Sequence, residues 1–317
     1  VTAGLDYVLP LRWEDDGGLA ELTAYLEWLS RRVRVIVVDG SPAPLFARHA
    51  RLWRGLAEHV PPDPDLRYAN GKVNGVLTGL RRARSDRVVL ADDDVRYDAA
   101  GLAAMERLLK TCDLVRPQNH FRPLPWHACW DTARTLLNRA LGADYPGTLG
   151  VRRALVAEGY DGDVLFENLE LIRTVRARGG LVRDAPWLYV RRVPCTARRF
   201  WSQRVRQAYD DLAQPWRLAW SLPVLPVVGV CAARRAHRAL AAGGLLVVLL
   251  AEAGRRRAGG RAVFPACTSL FAPVWVLERG VCSWLALGAA VTGGVPYAGR
   301  RLRRAAHSLR HLRAALR

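Results

Sequence analysis

The sequence predicts an α/β domain followed by a hydrophobic helical module. Strand and helix signals alternate through the first two-thirds of the 317 residues. An acidic triplet, Asp92-Asp93-Asp94, follows the short apolar run Arg87-Val88-Val89-Leu90-Ala91. From Pro215 onward the composition turns apolar, in runs separated by arginine clusters. Alternating β and α signals imply a parallel sheet covered on both faces, and a chain this long fits one large domain or two smaller ones.

Leu5 to Leu11 is an apolar strand interrupted by Pro10. Gly18 to Arg31 has helical spacing, with Leu19, Leu22, Leu26 and Leu29 on one stripe. Val33 to Val38 is almost purely β-branched and ends at Asp39-Gly40-Ser41, a strand followed by a turn. Ala47 to His59 is a second expected helix. Asn70 to Ala83 is a third, with Val73, Val76, Leu77 and Leu80 at helical intervals. Val88 to Ala91 is too short and too β-branched for a helix and reads as a buried strand. Gly101 to Lys110 is a further helix.

Beyond Pro215 the apolar runs are Leu218–Ala233, broken by Pro223 and Pro226, Ala239–Ala251, Ala262–Leu277 and Val281–Ala298. A simple membrane-spanning helix needs about 20 apolar residues, so some of these runs are expected to be re-entrant or interfacial. Trp216, Trp220, Trp275 and Trp284 near segment ends suit headgroup anchoring. The 255–261 loop and the tail are both strongly positive. Positive loops stay on the cytosolic face, which points to an even number of crossings.

The net charge is +19, and Lys72 and Lys110 are the only lysines. Such a charge suits nucleic acid, anionic lipid or an anionic substrate. The late arginines flank apolar segments, which favours a membrane surface over a nucleic-acid groove. Six scattered cysteines form no Cys-x-x-Cys pair and read as reduced. The start carries no signal-type segment, so the first part is expected in the cytosol.

Carboxylates at the carboxyl end of a buried strand are costly unless something positive neutralises them, and open α/β sheets bind ligands at that edge. The triplet therefore reads as a divalent-cation site facing a phosphate-bearing substrate, against the plainer reading of an acidic turn. Asp39 stands at the same edge. Asn70-Gly71-Lys72 opens a helix where Gly71 permits close approach and Lys72 offers a charge to phosphate. Gly159 to Glu170 carries Asp161, Asp163, Glu167 and Glu170, and Gln203-Arg204-Val205-Arg206-Gln207 supplies guanidinium groups suited to bidentate phosphate contacts.

On Leu9-Pro10, Val38-Asp39-Gly40-Ser41, Asn70-Gly71-Lys72, Leu90 to Asp94, the Gly159 to Gly179 block and Gln203 to Gln207, the chain resembles the family 2 glycosyltransferases over about residues 5–210. The resemblance implies a GT-A nucleotide-sugar fold with a mixed sheet. Together with the apolar shift at Pro215 it sets the expected domains at 1–212 (catalytic), 213–299 (membrane-associated helices) and 300–317 (basic tail). It assigns Asp39 to the nucleotide base. Asp92 and Asp94 fall to Mg²⁺ or Mn²⁺ on the diphosphate, and Asp93 and Lys72 to donor binding. Glu167 becomes the base that deprotonates the acceptor, with Glu170 and Asp163 as substitutes. Gln203 and Arg206 attend the acceptor and the departing diphosphate.

Two positions depart from the family pattern. Asn168 stands where the family carries aspartate, and an amide takes no proton at neutral pH. Gln207 replaces a tryptophan, removing a stacking platform. Trp126 and Trp130 are candidate acceptor-groove residues, while His120 and His127 are left outside the metal set.

The expected activity is inverting transfer of sugar from a nucleoside diphosphate sugar, UDP-sugar first, to a lipid or lipid-linked acceptor at the cytosolic face of the cell membrane, with no nucleic-acid partner. The alternatives are a nucleotidyltransferase on a similar sheet and a non-catalytic membrane protein that retains the fold.

Overall fold

A computed structural model describes residues 4–297 and 299–317; Val1 to Ala3 and Ala298, the last residue of the expected apolar run Val281–Ala298, lie outside the described residues. The chain packs as two units. The first comprises 1–117, 146–190 and 307–317, and the second 118–145 and 191–306. The second unit thus takes a segment from within 1–212, and the end of the basic tail belongs to the first.

The first unit opens with β1 (Asp6–Leu11), α1 (Leu19–Ser30), β2 (Arg34–Asp39), α2 (Ala43–Leu52) and β3 (Glu58–Val60). It continues through α3 (Gly71–Arg82), β4 (Arg87–Ala91), β5 (Val95–Arg96), α4 (Ala99–Leu108) and β6 (Leu114–Phe121). After α5 (Trp126–Leu141) come β7 (Thr148–Arg152), α6 (Glu167–Ala177) and β8 (Val182–Arg192). The strands form one sheet in the order β3-β2-β1-β4-β7-β6-β8-β5. β1 pairs in parallel with β2 and β4, and β2 with β3. β7 runs antiparallel to β4 and β6, so the sheet is mixed, not wholly parallel.

Side chains of β1, β2 and β4 are buried along most of each strand, which is why those segments read as near-continuous apolar runs. The α1 stripe Leu19, Leu22, Leu26 and Leu29 is buried as the periodicity predicts. Helix α3 lies against β1 at very short range: a Cβ on Gly75 would stand 2.8 Å from Pro10 Cβ, and one on Gly79 would collide with Val8. These two glycines set the depth of α3 and hence the height of Asn70 and Lys72 above the sheet edge.

The second expected helix differs from the observed one. α2 occupies Ala43–Leu52, and the residues expected to complete it turn back into β3. Gly55 adopts φ +81°, a left-handed turn that ends the helical path, and His59 is drawn to Asp39 by a tertiary hydrogen bond.

In the second unit follow α7 (Ala197–Tyr209), α8 (Pro215–Ser221), α9 (Val224–Ala233), α10 (His237–Arg256), α11 (Ala272–Val291) and the antiparallel pair β9 (Val295–Tyr297) and β10 (Arg300–Leu302). Helix α12 (Leu309–Ala314) closes the chain within the first unit. Three segments, Pro215–Ala233, His237–Ala262 and Ala266–Val291, are long and apolar enough to cross a membrane. Trp216, Trp220 and Trp284 are exposed on them, while Trp275 is half-buried. α5 packs along α10, closely enough that a Cβ on Gly254 would collide with the Leu136 carbonyl. Among the described residues no disulfide joins any of the six cysteines.

Candidate active site at the sheet edge

The β4 carboxyl end carries the triplet. Asp92 N donates to the Gly147 carbonyl at 2.9 Å, and Val95 N to the Asp92 carbonyl at 3.1 Å, so a tight turn fixes Asp92 at the rim. Asp93 accepts a hydrogen bond from Trp13 Nε1. Asp94 is half-buried within the turn.

Helix α3 reaches this rim by its amino-terminal end. Asn70 is its N-cap, with Oδ1 accepting from Lys72 N at 3.2 Å. Asn70 also donates through Nδ2 to the Val164 carbonyl at 3.1 Å and through its amide to the Gly162 carbonyl at 3.0 Å. The loop that leads into α6 is thereby tied to the start of α3, and Glu167 opens α6 beside Lys72.

The result is a clamp. Lys72 Nζ lies 2.5 Å from Asp92 Oδ1 and 2.6 Å from Glu167 Oε1. Burial alone would disfavour the ammonium; the adjacent Asp92 and Glu167 carboxylates overcome it and hold Lys72 well above the ordinary lysine range. Three residues from three distant parts of the sequence thus share one half-buried positive charge. Pro10, Lys72, Asp92, Gly147, Tyr160 and Asn168 line a small hollow around them. Burial pushes the Tyr160 phenol up, so it stays a neutral hydrogen-bonding group there.

The acceptor block divides by environment. Glu170 is fully buried and accepts from His307 N at 2.7 Å and from His307 Nδ1 at 2.9 Å. Asp163 accepts from Ala69 N at 2.8 Å and holds the loop. Phe166 is the N-cap of α6 and no side chain caps it. Asn168 Nδ2 donates to the Pro146 carbonyl at 3.1 Å. Of these residues, Glu167 is the one set beside Lys72.

Asp39 ends β2 in a different setting. Its side chain is fully buried. It accepts from Ser41 N at 2.8 Å and contacts His49 Nδ1 at 2.6 Å and His59 Nε2 at 3.0 Å. His49 Nε2 in turn meets Asp16 at 2.9 Å. Burial opposes the Asp39 charge, yet hydrogen bonds from His59, Ser41 and His49 bring its carboxyl down to about 2. The sequence pattern singled out Asp39 but neither histidine; α2 carries His49 to it, and the turn at Gly55 with the path of β3 brings His59.

Gln203 and Arg206 lie on α7, in the second unit. Both are half-buried, and the Arg206 guanidinium sits 5.3 Å from the Tyr297 ring centroid. Its neighbour Arg204 is buried against Asp131 (3.0 Å) and Glu278 (3.0 Å from Nε) and donates to Gln207 Oε1 at 2.9 Å. Gln207 therefore serves as an acceptor for a buried guanidinium. Trp126 and Trp201, each 48% exposed, form an aromatic cluster with Trp130 and Phe200. His127 is buried, with Nε2 on the Cys195 carbonyl at 2.7 Å, which accounts for it as a packing residue.

No protein-family profile matches the chain, and no curated protein does. Among solved structures, the chain is similar to a mannosyltransferase from Pyrobaculum calidifontis in complex with GDP-Man and Mn²⁺: 18% identity, 88% of this chain and 86% of that one, TM-score 0.49. It is similar to glucosyl-3-phosphoglycerate synthase from Mycobacterium tuberculosis in complex with Mn²⁺, UDP and glucosyl-3-phosphoglycerate (18%, 65% and 77%, TM-score 0.46). A third is mannosyl-3-phosphoglycerate synthase from Rubrobacter xylanophilus (18%, 68% and 74%, TM-score 0.45). Each score lies below 0.5, and the chemistry rests on the residues of this chain.

Proposed function

We propose that the protein is a metal-dependent glycosyltransferase that moves a sugar from a nucleoside diphosphate sugar, UDP-sugar first, to a lipid or lipid-linked acceptor at a membrane face. The observation that carries this reading is the clamp of Lys72 between Asp92 and Glu167 at the β4 edge. A half-buried ammonium beside strand-end carboxylates is suited to phosphate on one side and cations on the other.

Asp92 and Asp94 supply carboxylate oxygens on one tight turn, the donor chemistry that Mg²⁺ and Mn²⁺ take. Asp92 already holds one cationic group, Lys72, and a divalent ion would be held there by Asp92 and Asp94. When bound, the ion stabilises negative charge on the diphosphate as it leaves. Lys72 has three N–H donors; two point at carboxylates, and a third suits a phosphate oxygen. Asp93, pinned by Trp13, holds the turn in shape for the donor. Glu167 receives the proton of the acceptor hydroxyl; Asn168 cannot, and Glu170 is sealed by His307. Gln203 and Arg206 are assigned to the acceptor and the departing diphosphate, and Asp39 to the nucleotide end of the site through its own cluster. The apolar helices support a lipid acceptor drawn from the same membrane, and the catalytic unit is assigned to the cytosolic side.

Incubating the full-length, lipid-reconstituted chain with UDP-, GDP- and dTDP-sugars, Mn²⁺ and membrane lipid extract tests this. Expected is release of a nucleoside diphosphate together with a lipid product heavier by one sugar. Pyrophosphate release from nucleoside triphosphates would replace the reading with a nucleotidyltransferase. Absence of metal-assisted donor binding in calorimetry would leave a non-catalytic membrane protein.

A further inference from the structure

We infer that α11 is not a membrane crossing but an in-plane helix seated in the headgroup boundary of an anionic leaflet, and that the chain crosses the bilayer an even number of times. The inference rests on the membrane reading above and adds what the three apolar segments alone leave open.

The first argument is connectivity. Residues 191–306 leave the first unit and return to it. The return is firm: His307, 8% exposed, is bonded to buried Glu170 through both its amide and its ring, and Arg173 Nη1 donates to the His307 carbonyl at 2.6 Å. A folded unit cannot sit on both sides of a bilayer, so the excursion makes an even number of crossings. Three apolar segments are available, and at least one of them does not cross.

The second argument picks α11. Its inner face carries Glu278 and Arg279, which pair with Arg204 of α7 and, at 3.6 Å, with Asp211. Arg204 also binds Asp131 of α5 at 3.0 Å. α5 and α7 are charged helices, and charged side chains are costly to place in the hydrocarbon core. This network holds α11 in polar protein surroundings as far as Arg279. From Gly280 to Val291 it extends only about 18 Å at about 1.5 Å per residue, well short of the hydrocarbon thickness of about 30 Å.

The outer face says what covers it. Val274, Leu277, Val281, Trp284, Leu285 and Val291 are exposed. Val274, Leu277, Val281 and Trp284 recur at three and four residues and Val291 lies seven beyond Trp284, which draws one apolar stripe along the length of the helix. Arg255, Arg256, Arg257 and Arg261 precede the helix, and Arg300, Arg301, Arg303 and Arg304 follow it. An apolar stripe with basic flanks is how a helix lies in the plane of an anionic surface.

The test is sidedness in sealed membrane vesicles containing the full-length chain. On a background with the six native cysteines replaced, single variants Lys110→Cys, Arg261→Cys, Thr292→Cys and Ala315→Cys are labelled with a membrane-impermeant maleimide in right-side-out and inside-out vesicles. All four positions are exposed. Expected is labelling of all four from the same face. Labelling of position 292 from the face opposite to 261 overturns the in-plane assignment, and labelling of 315 opposite to 110 overturns the even count. In both cases the protein still sediments with the vesicles and the membrane reading stands. A chain that fails to co-sediment with vesicles containing phosphatidylglycerol loses the membrane reading and this inference together.

Discussion

Asp39 and Asp92 stand at the carboxyl ends of the two strands that flank β1, and the protein treats them oppositely. Asp39 is closed in: two histidines and a backbone amide satisfy its oxygens, and no part of its side chain reaches solvent. Asp92 keeps 20% of its side chain accessible, and one of its partners is the flexible ammonium of Lys72. A carboxylate satisfied by rigid rings keeps those partners and acts together with them. One shared with a lysine can exchange that partner for a ligand. Position at a sheet edge is common to both; the chemistry of the neighbours separates an acid fixed within its own cluster from one whose partner a ligand can replace.

The largest expected effect separates the two by function. Asp92→Asn removes the charge from the clamp without changing its shape. Sugar transfer should fall by about a hundredfold or more, the scale of losing one preorganised electrostatic group in an active site, while the denaturation midpoint stays near that of the parent. Initial rates with saturating donor, alongside a denaturation curve, check this. A rate within a few-fold of wild type would remove Asp92 from the reaction.

The next effect falls on stability. His49→Ala leaves the Asp39 and Asp16 carboxylates without their shared partner in a buried setting. Breaking such a pair costs about 3 kcal/mol. Denaturant unfolding in detergent should report that loss, and a variant as stable as wild type would mean the cluster is not part of the scaffold.

The same comparison predicts a pH dependence. The folded-state pKa of Asp39, about 2, lies below its value of about 4 in an unfolded chain. Its contribution is therefore fully present above pH 4 or so, and it is lost as pH falls through the folded value. Its size is about 2 kcal/mol. The stability gap between wild type and Asp39→Asn should be constant from pH 7 to about 5 and should narrow toward pH 2. A gap that does not change over that range would contradict the role given to the histidines.

Much of this arrangement was legible in the sequence, and the reasons are local. β2 and β4 are β-branched runs with acids at their ends, and Asn70 is a capping residue directly before a periodic segment. Each of these signals sits within a few residues. What was not legible depends on the turn at Gly55, which replaces the end of an expected helix with β3 and delivers His59 to Asp39. Nor does any pattern join Glu170 to His307, 137 residues later. β7 escapes notice because Thr148 to Arg152 contains Gly150 and only short apolar runs, yet its antiparallel pairing with β4 places Gly147 beside Asp92.

The smallest effect concerns the residue after Glu167. If the position of a carboxylate along α6 were all that mattered, Asn168→Asp would add a second base and raise the rate. The surroundings argue otherwise. Asn168 uses its amide N–H to satisfy the Pro146 carbonyl, and an ionised aspartate has acceptors only. The substitution leaves that carbonyl unpaired and sets two acceptors against each other, a cost of about 1–2 kcal/mol. The expected result is a slightly less stable protein whose transfer rate is unchanged or lower and whose pH profile keeps its shape, because the proton still goes to Glu167. A many-fold gain in rate with a shifted acidic limb would move the base to position 168. Lys72, which touches Glu167 and Asp92, would then serve the donor alone.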